Sequence, residues 1–212
     1  MENKVGRVSL LFFNRSADKV AKELLGKIIV RKINENEIKA QIVETEAYFD
    51  ENDPASRACQ NGDLRLTMRM ESGTILVYGV HNNWMFNIVT DEEGKASAVL
   101  IRAVEPMNFD GKCNGPGLLT KALIIGKGFH KKNIIDNDEI WIEDNGNLQD
   151  YILKRVLEGK VSLSGGCSES RENLTLNTKK SEIVSSFRIG VKKDLPRKLR
   201  FYIKDDEFVS RR

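Results

Sequence analysis

The stretch that decides the fold is AQIVETEAY, residues Ala40–Tyr48, together with its later counterpart VLIRAVEP, residues Val99–Pro106. Both segments have the length and the apolar content of β-strands. Side chains in a strand alternate between its two faces, so the carboxylates of Glu44 and Glu46 are predicted to share one face with the ring of Tyr48. A face that carries two carboxylates and an aromatic ring suits a site that holds a flat molecule beside an acid or a base.

The second strand places one arginine, Arg102, inside an otherwise apolar run. A buried arginine needs a partner, because its desolvated charge is unfavourable on its own. A structural ion pair with Glu44 is therefore one interpretation of this residue. The alternation of the first strand also predicts that Ile42 lies on the face of Glu44 and that Val43 lies on the other face.

The rest of the chain predicts an α+β fold in a single domain, residues 1–212. We expect its centre to be a curved antiparallel β-sheet in the form of a partly open barrel or roll, and we expect helices to flank this sheet. Successive strands are joined by short turns, which is typical of antiparallel pairing. The segment Phe49–Gly73 is long, polar and rich in arginine, which indicates a functional loop. The predicted elements are, in order, a helix at Ala17–Leu25 ended by Gly26, strands at Lys27–Lys32 and Lys39–Tyr48, a hairpin of Thr74–Tyr78 and Met85–Thr90 around Gly79–Asn83, a strand at Ser97–Val104, a helix at Leu118–Ile125, and strands at Glu139–Glu143, Arg188–Val191 and Leu199–Ile203.

Composition indicates an ordinary globular protein. Of the 212 residues, 40% are hydrophobic and 31% are charged, which is enough apolar material for a core. No apolar run approaches the ~20 residues of a membrane span, and the N-terminus lacks the small-residue cleavage site of a signal peptide. The cysteines, at Cys59, Cys113 and Cys167, are odd in number and widely spaced, so the sequence predicts a cytoplasmic location without a disulfide framework.

Metal-binding patterns are missing from the sequence. His81 and His130 are the only histidines, and neither an HxxxH nor a CxxC pattern occurs. We therefore expect no metal site.

Basic residues cluster near the C-terminal end of the sequence, although the net charge of +3 is too small to establish nucleic-acid binding. Between Arg188 and Arg200, six basic residues stand against a single acid, Asp194. A one-sided basic cluster is the electrostatic signature of a phosphate-binding face. A solvated loop between two strands is the alternative, and charge alone favours the loop.

Four motifs, IVETEAY, LIRAVEP, Asn114-Gly115-Pro116 and RIGVKKDLPRKLRFYI, occur in an order that resembles the alkyladenine (3-methyladenine, hypoxanthine) DNA glycosylase family. The resemblance covers roughly Ser16 to Ser210. It implies a monofunctional DNA glycosylase that flips an alkylated or deaminated purine out of damaged double-stranded DNA and excises it with activated water. It also implies no cofactor, no membrane, no obligate protein partner, a monomer, and a cytoplasmic location with access to DNA in a nucleoid or nucleus.

The resemblance implies a catalytic role for two residues. Glu46 matches the family's catalytic glutamate, which would act as the general base. Arg102 matches an arginine near the catalytic water, so it would position that water or orient Glu46. The ion pair with Glu44 remains an alternative for Arg102, and Glu44 itself is interpreted as a structural carboxylate.

Two further matches concern the base pocket. Tyr48 matches an aromatic residue that stacks on the flipped base, and its place two residues after Glu46 supports this match because both side chains point the same way. The alternative is a core tyrosine at the sheet edge. Asn87 matches an asparagine that lines the pocket, and the alternative is a strand asparagine that bonds to the backbone.

The hairpin around Tyr78 allows two registers. In one register Tyr78 is the ring that the family inserts into the minor groove, followed by a glycine that suits a tight turn. In the other, Tyr78 lines the base pocket, and Val80 or His81 forms the wedge that fills the vacated place in the duplex.

Arg57 departs from the family, which usually has a histidine there in contact with the flipped base. Arginine is always charged and only donates hydrogen bonds. It would therefore disfavour positively charged bases, unless it turns outward to a phosphate. This departure also leaves open a rival function, a weak or inactive binder of damaged DNA or of RNA on the same fold, although such a binder has no need of Glu46.

Overall fold

The centre of the molecule is one curled antiparallel β-sheet of eight strands. The computed structural model describes residues 6–146 and 183–210. The strand order is β3-β4-β5-β2-β1-β6, and β8 pairs with both β2 and β7. The sheet and its flanking helices confirm the predicted α+β fold. The strands are β1 (Ile28–Ile33), β2 (Asn36–Tyr48), β3 (Ile75–Val80), β4 (Asn83–Val89), β5 (Ala98–Pro106), β6 (Ile140–Glu143), β7 (Ile183–Ser186) and β8 (Arg200–Ile203).

Strand β2 organises the sheet because it has three neighbours. Its whole length beyond Ala40 pairs with β5, and its other edge pairs first with β1 and then with β8. Glu46 consequently lies opposite Leu100 on one side and Arg200 on the other. This arrangement brings segments from distant parts of the sequence to the C-terminal half of β2.

A β-bulge interrupts the predicted alternation of β2. The register with β5 shifts between Ile42 and Thr45, and Ile42 and Val43 both pack into the main core. The prediction that Ile42 continues the face of Glu44 is therefore wrong, and regular alternation begins only at Glu44. An unpaired residue in a bulge shifts the faces and increases the local bend, which helps the sheet to curl.

The helices are short and pack against the sheet. Helix α2 (Ala17–Glu23) buries one apolar face on β2, and the hydroxyl of Thr45 donates to the carbonyl of Ala21 at 2.8 Å. Gly26 follows the helix with a φ of 85°, as expected of a glycine that ends a helix. The described helices are α1 (Leu10–Phe13), α2 (Ala17–Glu23), α3 (Asp63–Thr67) and α4 (Pro116–Ala122), with 3-10 turns at Arg57–Cys59 and Lys127–Phe129. None of them is long and apolar enough to cross a membrane.

The hairpin of β3 and β4 is longer than predicted. Its strands pair as far as Val80 with Asn83, so the turn consists of His81 and Asn82 alone. Both turn residues have positive φ, 46° and 60°, which is the conformation of a tight two-residue hairpin turn. Gly79 accordingly lies within the strand rather than in the turn.

Two other predicted elements differ from the structure. The strand predicted at Arg188–Val191 is a loop that follows β7, because Arg188 is held by buried ion pairs and Gly190 has a φ of 77°. The helix predicted at Leu118–Ile125 spans Pro116–Ala122 instead, and the φ of 51° at Ile124 prevents its continuation. Cys167 lies outside the described residues.

Candidate active site

A cavity of about 880 Å³ opens beside the C-terminal half of β2. Its walls come from β2, β5, the β3–β4 hairpin, the segment that follows β2, the start of α4 and the loop after β7. The polar and aromatic side chains in these walls include Tyr48, Arg57, Tyr78 and Arg102. With His81, which also lines the cavity, the curl of the sheet therefore gathers five of the seven predicted site residues around one space.

Glu46 lies directly behind this wall and is fully buried. Its Oε2 accepts hydrogen bonds from the hydroxyl of Tyr48 at 2.8 Å and from Nη1 of Arg102 at 3.2 Å. Its Oε1 accepts from the backbone N–H of Ile189 at 2.8 Å. Because Tyr48, Arg102 and Ile189 all line the cavity, they fix the carboxylate at its edge.

Burial raises the pKa of Glu46 above its ordinary value near 4.5. The guanidinium of Arg102, the N–H of Ile189 and the hydroxyl of Tyr48 oppose this rise, and the neighbouring carboxylate of Glu44 adds to it. A raised pKa makes the carboxylate a better proton acceptor than an exposed glutamate, which is the property that a general base needs.

Glu44 is saturated by structural contacts. Its Oε1 accepts from Nε of Arg102 at 2.9 Å, Nε of Arg200 at 2.6 Å and the hydroxyl of Ser210 at 2.9 Å. Its Oε2 accepts from the backbone N–H of Ser210 at 2.7 Å. Arg102 thus bridges both carboxylates, so the ion pair with Glu44 and the contact with Glu46 exist together.

Arg188 supports the site from behind and was missed by sequence reasoning. Its guanidinium forms two hydrogen bonds of 2.6 Å with Asp53, and it also pairs with Asp194 and with the carbonyl of Ala47. These contacts hold the loop that presents the N–H of Ile189 to the carboxylate. Nothing in the local sequence identifies the pairing, because Asp53 and Arg188 are 135 residues apart.

The predicted basic cluster therefore divides into two groups. Arg188 and Arg200 are buried in ion pairs, so they are not available to phosphates. Lys192 and Lys193 are exposed and line the cavity. Only the exposed group fits the predicted phosphate-binding face.

Tyr48 is both a wall residue and a partner of Glu46. Its hydroxyl donates to the carboxylate, and the guanidinium carbon of Arg188 lies 4.6 Å from its ring centroid. Burial, followed by the charge of Glu46, raises the pKa of Tyr48 well above its ordinary value near 10.0. The hydroxyl therefore stays protonated and continues to donate throughout the physiological pH range.

Tyr78 lies on the pocket side of the hairpin. It lines the cavity, and burial raises the pKa of its hydroxyl above 10.0. The guanidinium carbon of Arg57 lies 4.6 Å from its ring centroid, so Arg57 turns into the cavity rather than outward. His81 is exposed at the hairpin turn and lies at the rim of the cavity. This placement corresponds to the second of the two predicted registers.

Asn87 lies in the sheet behind the wall and is not among the lining residues. Its Nδ2 donates to the carbonyl of Leu76 at 3.0 Å and more weakly to that of Met85 at 3.4 Å. The structure therefore shows the backbone-bonding arrangement. Any influence of Asn87 on a bound base would pass through Tyr78, with which its side chain interacts.

Metal ligands are not grouped in the part of the chain that the structure describes. Residues 6–146 and 183–210 contain no cluster of three or more His, Cys, Asp or Glu side chains that could hold an ion. The chemistry that the described geometry offers is that of one buried carboxylate, an arginine and two tyrosines beside a cavity.

Comparison with known proteins identifies the family of the chain. Residues 11–207 match the profile of the methylpurine-DNA glycosylase (MPG) family. A protein of Aeropyrum pernix is 37% identical over 94% of this chain and 91% of its own length, and one of Borrelia garinii subsp. bavariensis is 36% identical over 95% and 98%. Both carry the name "Putative 3-methyladenine DNA glycosylase". The chain therefore belongs to the methylpurine-DNA glycosylase family, whose members are DNA-repair hydrolases of N-glycosidic bonds.

Proposed function

We propose that this protein is a monofunctional glycosylase, a single domain over residues 1–212, that excises alkylated or deaminated purines from duplex DNA with water activated by Glu46. The observation that carries the proposal is the placement of Glu46. A fully buried carboxylate with a raised pKa is fixed at the edge of a cavity by Tyr48, Arg102 and the N–H of Ile189.

Cleavage of the bond between base and sugar proceeds through a sugar with the character of an oxocarbenium ion. A nearby carboxylate stabilises that positive charge and accepts a proton from the attacking water. The carboxylate of Glu46 has about four acceptor positions. Three donors already occupy positions on it, so one remains for the water.

Arg102 and Tyr48 keep the carboxylate in one orientation during this step. Arg102 is itself anchored by Glu44, so its guanidinium cannot rotate away from Glu46 without breaking a second buried ion pair. Arg102 therefore acts as the positioning residue in this proposal, and Glu46 as the catalytic residue.

The two tyrosines provide the surfaces for a flipped base. Tyr48 and Tyr78 both line the cavity, and aromatic faces hold a purine by stacking. The hairpin turn with His81 and Asn82 is exposed next to the cavity, which suits a wedge that fills the gap left in the duplex. Lys192 and Lys193 are available for DNA phosphates.

We further propose hypoxanthine, 3-methyladenine and ethenoadenine as the class of lesion. A carboxylate and a water molecule suffice for their release, so the proposal includes no cofactor. The protein would act as a monomer on damaged double-stranded DNA wherever the cell keeps that DNA, in the cytoplasm with its nucleoid or in a nucleus.

The decisive test replaces Glu46 by glutamine. The Glu46→Gln variant is expected to fold and to bind lesion DNA, but to release the base at least about 100-fold more slowly in single-turnover assays, because general-base catalysis contributes roughly that factor or more. The wild-type product should be an intact strand with an abasic site.

The matched control is Glu92→Gln, a change of the same type at an exposed position outside the cavity. It should leave the rate unchanged. Near-normal base release by Glu46→Gln would remove Glu46 from the mechanism, and a wild-type protein that binds lesions without releasing any base would favour the rival function of a damaged-DNA binder.

A further inference from the structure

Arg57 is a cation in the wall of the cavity, and it has no counter-charge among the described residues. Its guanidinium stacks on the ring of Tyr78, and the residue is half-buried. The nearby Arg65 and Arg69 both pair with Glu51, whereas no carboxylate in residues 6–146 or 183–210 forms an ion pair with Arg57.

The other guanidinium groups beside the cavity are balanced. Arg102 pairs with Glu44 and Glu46. The arginine that stacks on Tyr48 is Arg188, which is flanked by two carboxylates. The two tyrosine walls therefore differ. The arginine beside Tyr48 is paired with two carboxylates, whereas the arginine on Tyr78 has no carboxylate partner within residues 6–146 and 183–210.

The remaining lining residues do not supply a negative charge that would balance Arg57. Among the described residues that line the cavity, the charged side chains are those of arginine and lysine, and none is an aspartate or a glutamate. Lys192 and Lys193 are exposed, so water and salt screen them, but Arg57 is partly shielded by the ring of Tyr78.

A bound base that stacks near Tyr78 would lie next to the positive charge of Arg57. The electron-rich face of an aromatic ring normally attracts a cation. On the face of Tyr78 that Arg57 covers, this position is already occupied by the guanidinium. A base that carries its own positive charge would be repelled by Arg57. A neutral base with a carbonyl or a ring nitrogen at its edge could instead accept a hydrogen bond from the guanidinium.

We propose that Arg57 makes this pocket select neutral purine lesions that present a hydrogen-bond acceptor over lesions whose base is positively charged. This inference rests on the proposed function, because it concerns which base the same cavity accepts. Within the proposed class of lesions, it ranks hypoxanthine and ethenoadenine, which are neutral, above 3-methyladenine, which is cationic within DNA.

The test compares hypoxanthine, a neutral base with a carbonyl acceptor, with 7-methylguanine, a cationic base, in otherwise identical duplexes. Single-turnover excision rates are measured for the wild type, for Arg57→Gln and for Arg57→Lys. Arg57→Gln removes the charge, and Arg57→Lys keeps the charge but removes the planar stack.

Arg57→Gln is expected to raise the ratio of 7-methylguanine to hypoxanthine excision by about tenfold or more, which corresponds to about 1.4 kcal/mol. Arg57→Lys should change the ratio by less than about threefold. An unchanged ratio in Arg57→Gln would overturn the inference. An equal shift in both variants would also overturn it, because packing rather than charge would then be the cause.

A second readout separates this inference from the proposed function. Equilibrium binding to the same two duplexes is measured in the Glu46→Gln background, with and without Arg57→Gln. The ratio of affinities should move in the same direction as the ratio of rates. If the wild type releases no base at all, the proposed function fails, and the affinity ratio still decides whether Arg57 discriminates by charge.

Discussion

At the scale of single residues, the site depends on how one carboxylate is held. Glu46 combines burial, which disfavours its charge, with three donors that favour it. The balance of these effects raises the pKa of Glu46, so its affinity for protons is above that of a glutamate in water. This is a setting in which a carboxylate can both stabilise a cationic sugar and accept a proton.

The raised pKa of Glu46 predicts the pH dependence of base release. In the proposed mechanism the active form of Glu46 is the carboxylate, so the single-turnover rate should fall as the pH decreases through the pKa, with a midpoint above 4.5. Removing a donor weakens the charged form, so Tyr48→Phe should move this acid limb to higher pH.

The pH profile is measured on a neutral lesion, whose own protonation does not interfere. A limb centred below 4.5 would mean that the donors outweigh burial. A limb that stays in place in Tyr48→Phe would mean that the hydroxyl has no influence on the proton affinity of Glu46.

At the scale of elements, the loop after β7 is held against the sheet by one buried side chain, that of Arg188. Arg188 fixes it to Asp53 on the segment after β2, and the following N–H reaches Glu46. Removing the guanidinium would leave the carboxylates of Asp53 and Asp194 without this counter-charge, and breaking a buried ion pair typically costs about 3–5 kcal/mol.

We therefore expect Arg188→Met to lower the free energy of unfolding by about 3–5 kcal/mol in urea titrations. The control is Lys198→Met, which removes an exposed charge from the same loop and should change stability by less than about 0.5 kcal/mol. Equal effects of the two variants would show that Arg188 has no special structural role.

The β3–β4 hairpin contains two residues that we expect to have different roles, one beside the base and one in the duplex. Tyr78 faces the cavity, and His81 lies at the exposed turn. Tyr78→Ala should weaken binding of a lesion about 10- to 100-fold in both single-stranded and duplex DNA, because it removes a stacking surface for the base.

His81→Ala is the matched variant in the same hairpin. It should weaken binding only in duplex DNA, because a single strand leaves no gap for a wedge to fill. The affinities are measured with the same lesion in both forms of DNA. Loss of duplex binding alone in Tyr78→Ala would assign the wedge to Tyr78 and support the first register.

At the scale of the whole molecule, the sequence predicts the two central strands and their charged residues better than it predicts the loops and side-chain contacts around them. The β2 and β5 strands carry strong local patterns, and one arginine in the apolar run of β5 required an acidic partner, so the cluster of Glu44, Glu46 and Arg102 was predictable. The sheet itself follows from short turns between strands.

Other features depend on contacts between distant residues, which produce no recognisable pattern in the local sequence. The bulge at Val43 arises from register along the whole of β2, and the pairing of Asp53 with Arg188 joins distant segments. The direction in which Arg57 points is set by the ring of Tyr78. Residue types and spacing contain none of this information, because it arises only when the sheet has curled.

The position of β8 beside β2 has a consequence for the order in which the site is assembled. Before the segment 183–210 docks, two carboxylates, Glu44 and Glu46, would share Arg102 alone, and the N–H groups of Ile189 and Ser210 would be missing. Two like charges in a closing interior oppose that closure. Contacts of such long sequence separation carry a high entropic cost of loop closure. We therefore expect the carboxylate of Glu46 to reach its hydrogen-bonded geometry only when this segment has docked, and a half-folded chain to release no base from DNA.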